Sequence, residues 1–166
     1  MYKNRSRGFT LIELLVVIAI IGVLSAVVLA SLNTARSKGN DAAIKSNLGT
    51  VLTQSAIYYD TYSAYVSAGT PAAVGTPTVA ACGTATSLFA DANVTQALIS
   101  SDKAAGGPGT TLANMTKTYC GFTGSLATWV VYTVLLNNGA TGQSWCVDSS
   151  GNSKQIATPA GALANC

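Results

Sequence analysis

From Leu14 to Ala35 the chain carries 22 residues without a charge, and the residue just before them is a glutamate. As an α-helix such a run spans roughly 33 Å, enough to cross a bilayer core of roughly 30 Å. Lys3, Arg5 and Arg7 precede it, so the N-terminus is expected on the cytoplasmic side of a single-pass helix. An ordinary secretory signal does not fit. The apolar run is too long, and no small-residue cleavage site followed by a soluble start closes it. A plain membrane anchor is the competing reading, and Glu13 argues against it. Acids within spanning segments are rare and costly, and an anchor has no need of one.

The net charge of +3 is local to the N-terminus. Beyond residue 8, six basic side chains (Arg36, Lys38, Lys45, Lys103, Lys117, Lys154) balance six acidic ones (Glu13, Asp41, Asp60, Asp91, Asp102, Asp148). The basic balance therefore describes a leader and gives no sign of a nucleic-acid partner. Cys82, Cys120, Cys146 and Cys166 all follow the apolar run, without a CxxC pair and without any histidine. This pattern favours disulfides formed outside the cytoplasm over a zinc site, which agrees with the topology. Four cysteines allow three pairings. The neighbouring pairs Cys82–Cys120 and Cys146–Cys166 are favoured, and the alternatives stay open.

After residue 35 the helical spacing continues in amphipathic form through Ile44, Leu48, Val51, Leu52, Ser55 and Tyr59. One helix is expected from about residue 9 to about residue 62, with Gly39-Asn40 as its weakest point. Residues 63–86 are rich in Gly, Pro, Thr and Ala and read as a loop. A short helix capped by Asp91 is expected over 91–102. Strands are expected at 128–136, 143–148 and 153–157, joined by turns into an antiparallel meander. The last residues read as a tail that Cys166 alone can pin. The expected fold class is α+β, a long N-terminal helix packed on a C-terminal antiparallel sheet. Its expected parts are a leader (1–8), an apolar helix (9–35), an amphipathic half (36–62) and a globular region (63–166).

Residues 8–24, GFTLIELLVVIAIIGVL, resemble the prepilin N-terminal motif of type IV pilins and of type II secretion pseudopilins. The motif combines a basic leader ending in Gly, an aromatic first residue, a lone Glu four residues later and an unbroken apolar helix. The resemblance implies cleavage between Gly8 and Phe9 by a membrane-embedded prepilin peptidase, and N-methylation of the new Phe9 amine. It implies that Glu13 pairs with such an amine and sets the register of assembly. Helical side chains lean toward the N-terminus, so a carboxylate four residues on can reach that end. A glutamate merely protonated in lipid is the plainer alternative. Thr10 is expected only to bond back to the helix backbone, and Gly22 with Ser25 read equally well as small residues that permit close helix packing or as filler. Many type IV pilins have proline near the position of Ala30; here the first proline is Pro71.

The rest of the chain offers no catalytic constellation, phosphate loop or metal spacing, so neither an enzyme nor a cofactor is expected. Asp148 in VDSSGNS is read as a turn cap rather than a calcium ligand. Asn93 and Asn114 begin glycosylation sequons, a weak pattern. Trp129, Tyr132 and Trp145 are read as core or sheet-face residues. The resemblance implies a structural subunit that forms a helical homopolymer. It lies in the cytoplasmic membrane among lipid before assembly, and on the cell surface afterwards. Its implied partners are prepilin peptidase, an assembly ATPase and a membrane platform protein. The rivals are a pseudopilin of a type II secretion system and a minor pilin for adhesion or DNA uptake.

Overall fold

The computed structural model describes residues 8–66, 77–123, 127–136, 142–159 and 165–166. The chain divides into two compact units, the first ending at Arg36 and the second starting at Ser37. Helix α1 (Leu11–Tyr62) is 52 residues long and belongs to both. In the first unit every residue from Gly8 to Arg36 is exposed, because the helix is apolar on all sides and has no layer of its own to pack against.

In the second unit the burial of α1 becomes periodic. Asp41, Ile44, Leu48, Val51 and Ser55 are its buried residues, a stripe with steps of three and four. The expected weak point at Gly39-Asn40 does not interrupt the helix. A helical glycine costs only about 1 kcal/mol, and the stripe just beyond it offsets that. Its first member, Asp41, accepts the Leu136 N–H at 2.8 Å.

The sheet contains β1 (Thr118–Thr123), β2 (Thr128–Val134), β3 (Gln143–Asp148) and β4 (Ser153–Ala157) in the order β1-β2-β3-β4, all antiparallel. The three strands read from the sequence are present, and β1 is an addition. Its TYCGFT sequence hides the strand because Gly121 interrupts the β-formers. Glycine fits there because a side chain would press on Pro77: an added Cβ would lie 3.1–3.3 Å from its atoms. The expected loop at 63–86 also contains structure. Thr78 bridges Cys120 and caps the short helix α2 (Val79–Cys82) by accepting the Ala81 N–H. Residues 67–76 of that stretch lie outside the described residues.

Alternation along the strands gives the sheet two covered faces. Phe122, Trp129, Val131 and Val147 join Ile44, Leu48 and Val51 of α1 and Val94 and Leu98 of α3 (Ala92–Ala104) in the main core. Phe89 packs there against Phe122 and, edge-on, against Trp129. Each such side chain contributes about 1.5–3 kcal/mol when fully buried. The opposite face carries Val130, Tyr132 and Cys146, with Tyr119, Ile156 and Cys166 packed against them. Tyr119 and Tyr132 are directly paired across β1 and β2 and stack with ring centroids 5.0 Å apart.

Two carboxylates close the loops. Asp91 caps α3 by accepting the Asn93 and Val94 N–H groups. Asp102, fully buried, accepts four backbone N–H bonds, from Gly109, Thr116, Lys117 and Thr118. It thereby ties the α3 exit to the start of β1. Gly107 makes room for it, since a Cβ there would fall 2.0 Å from its Oδ2.

Candidate assembly site

The residues singled out at the N-terminus converge on the first turn of α1. Gly8 and Phe9 precede the helix and are exposed, Phe9 by 85%. Thr10 is the cap. The Glu13 carboxylate accepts the Thr10 N–H at 2.8 Å and the Thr10 hydroxyl at 2.7 Å through the same Oε2. The Thr10 hydroxyl accepts the Glu13 N–H at 3.3 Å. This is a reciprocal capping box, built from the Thr-x-x-Glu spacing of TLIE. The sequence reading gave Thr10 only a backbone-bonding role; the spacing itself was the missed signal. Glu13 therefore engages an N–H one residue from Phe9. The start of a helix is also where a carboxylate is favourable, because the unpaired N–H groups carry partial positive charge.

Beyond this turn, α1 presents a continuous apolar surface. Leu14, Ile18, Ile21 and Leu24 are each more than half exposed. Nothing lies within 4 Å of a Cβ built on Gly22, and the helix runs through Ala30 without a break. It is long and apolar enough to cross a membrane, and among the described residues it is the one helix that is.

The four cysteines sit far along the chain from this turn. Cys82–Cys120 and Cys146–Cys166 are bonded, with Cα separations of 5.0 and 5.8 Å, which is the neighbouring pairing. They lie on opposite faces of the sheet: Cys120 in the main core, Cys146 and Cys166 in the smaller cluster. Asp148 stands beside the second bridge. Its carboxylate accepts N–H bonds from Ser150, Asn152 and Cys166, and one from the Asn152 side chain. Burial pushes its pKa up, but the Asn152 side-chain bond and the three backbone bonds outweigh this and hold it below the usual carboxylate range. Asp148 is thus a turn cap that also holds the last residue. Of the two sequons, Asn114 is occupied, its amide bonded to Thr110 and Thr111 in a second capping box. Asn93 lies in the first turn of α3, with its amide 3.5 Å from Gln54.

One comparison with known proteins falls on this same N-terminal region. Residues 3–29 match the family described as the prokaryotic N-terminal methylation motif. The chain is 39% identical over 64 residues to the type IV wide pilus major component PilA4 of Thermus thermophilus. That alignment covers 39% of this chain, and the chain spans about half (49%) of the relative's length. No solved structure matches. The capping box, the exposed apolar helix and the methylation motif concern the same stretch of sequence, and in that stretch and in its pilin relative the chain is similar to type IV pilins.

Proposed function

We infer that this chain is a structural subunit of a type IV pilus-like filament. Prepilin peptidase cuts after Gly8, the Phe9 amine is methylated, and the apolar part of α1 moves from the membrane into contact with copies of itself. An assembly ATPase and a platform protein drive the transfer. The observation that carries this reading is the pairing of a fully exposed apolar helix with one acid in its first turn. Apolar surface of that extent drives burial against lipid or against other helices. In a filament the Glu13 carboxylate would leave Thr10 for the Phe9 amine of its own chain or a neighbour, a stronger partner because both groups are charged. The disulfides favour a surface-exposed pilus over a periplasmic secretion pseudopilus, since they protect a domain that meets proteases and shear.

The intact mass of filaments sheared from cells tests the reading. The expected mass is that of residues 9–166 plus one methyl group, less four hydrogens for two disulfides. Material that retains residues 1–8, or that lacks the methyl group, overturns the processing scheme. A mature chain found only in membranes, never in sheared filaments, favours the secretion role.

A further inference from the structure

Within the second unit, a groove of about 270 Å³ runs between α1 and α3. Four carboxamides line it, Asn47 and Gln54 from α1 and Asn93 and Gln96 from α3, together with the hydroxyls of Thr50 and Ser100. Among the described residues no charged side chain lines it. The helical spacing explains the lining: on each helix these residues occupy the flank of the face that supplies Leu48, Val51, Val94 and Leu98 to the core. Little of this polar capacity is used inside the protein. Gln54 and Asn93 meet at a marginal 3.5 Å, Thr50 makes a long bond to the Ser46 carbonyl, and the side chains of Asn47, Gln96 and Ser100 bond to no other described residue.

An aromatic side chain lies near one end. Tyr58 follows Gln54 by one turn of α1, is half-buried, and has its ring 4.6 Å from that of Tyr62. Burial first, then Tyr62 and the Asp91 carboxylate, raise its phenol pKa.

We propose that this groove binds a neutral saccharide. Each carboxamide offers both a donor and an acceptor, the match for a sugar hydroxyl, which also offers both. The absence of charge selects against acidic sugars and phosphates. The volume falls below the roughly 300–1,000 Å³ of drug-sized pockets, so one or two sugar rings fit. A neighbouring subunit is the less suitable occupant, because the cores of protein interfaces favour Tyr, Trp, Phe, Met and Arg, and the lining has none of these. The assignment does not depend on polymerisation.

Nuclear magnetic resonance on the isotopically labelled full chain, held in a detergent without a sugar headgroup, tests it. The probes are maltotriose, cellotriose and N,N′-diacetylchitobiose. At least one of these is expected to shift the side-chain amide signals of Asn47, Gln54, Asn93 and Gln96. The double variant Asn47→Leu/Gln96→Leu is expected to bind roughly tenfold more weakly, for about two lost hydrogen bonds, with its backbone spectrum otherwise retained. Should that variant lose its fold, Gln96→Glu serves instead, and is expected to weaken neutral-sugar binding at unchanged fold. No shift with any of the three sugars overturns the proposal, as do shifts confined to other residues. Shifts of the groove amides on concentrating the protein without sugar assign the groove to self-contact and overturn it as well.

Discussion

The two units invert each other's use of apolar residues. In the first, the Leu, Ile and Val side chains of α1 all lie on the outside. In the second, the main core holds aromatic and aliphatic groups from α1, α3 and the sheet, and the opposite sheet face is covered too. The difference shows where each unit finds its tertiary stabilisation. The second closes on itself, with two disulfides and buried carboxylates sealing its loops. The first goes no further than a helix, and its packing must come from outside the chain.

Changes on either side of residue 36 should therefore separate cleanly. The largest effect is expected from Glu13→Ala. Filament yield should fall to below about a tenth of normal, because on the proposed pairing each subunit would lose the charged partner of an amine held in apolar surroundings. Cleavage and the thermal unfolding of the second unit should stay unchanged. Normal yield by electron microscopy would remove Glu13 from assembly and break the comparison at its most specific point.

Trp129→Ala comes next. It should destabilise the second unit by about 3–5 kcal/mol, read by denaturant unfolding, without altering membrane insertion. Asp102→Ala should cost about 2–4 kcal/mol, since four backbone N–H groups lose one shared acceptor. A cost below about 1 kcal/mol would mean that water readily replaces the carboxylate there.

The smallest effect concerns pH. The folded-state pKa of Asp148 is depressed, so its contribution is fully present above its unfolded value near 3.9. It is lost as pH falls through the lower folded value. Stability of the wild-type chain should drop in the acid range below about pH 4 more steeply than that of Asp148→Asn. Identical acid profiles would show that the turn and the Cys166 N–H hold without the charge.

Helix α1, α3 with its Asp91 cap, and three of the four strands were legible because their signals are local: periodicity, a capping residue, β-branched runs bounded by turns. The same holds for the N-terminal motif, where Gly8, Phe9 and Glu13 lie within six residues. Thr10 was legible too, through its spacing to Glu13, but was given too small a part. What stayed hidden depends on distant partners. β1 is a strand because β2 pairs with it along its whole length, and it accepts Gly121 because Pro77, far back in the chain, needs the space. The gathering of four N–H groups on Asp102 likewise joins residues up to 16 positions apart, beyond the reach of any local pattern. The groove between α1 and α3 joins residues 39 apart in sequence, Gln54 and Asn93, so its two rows of amides read separately as ordinary polar helix faces.

The pair of disulfides on opposite sheet faces has a mechanical consequence. Under tension, a domain without cross-links lengthens by paying out its whole contour, at most about 3.3–3.6 Å per residue. Here the sulfur bridges carry load past the stretches they enclose. The 38-residue span from Cys82 to Cys120 withholds about 130 Å of slack, and the 20-residue span from Cys146 to Cys166 about 70 Å. A fibre of such subunits would respond to a pull as a short, stiff tether, and would regain its slack when reduced.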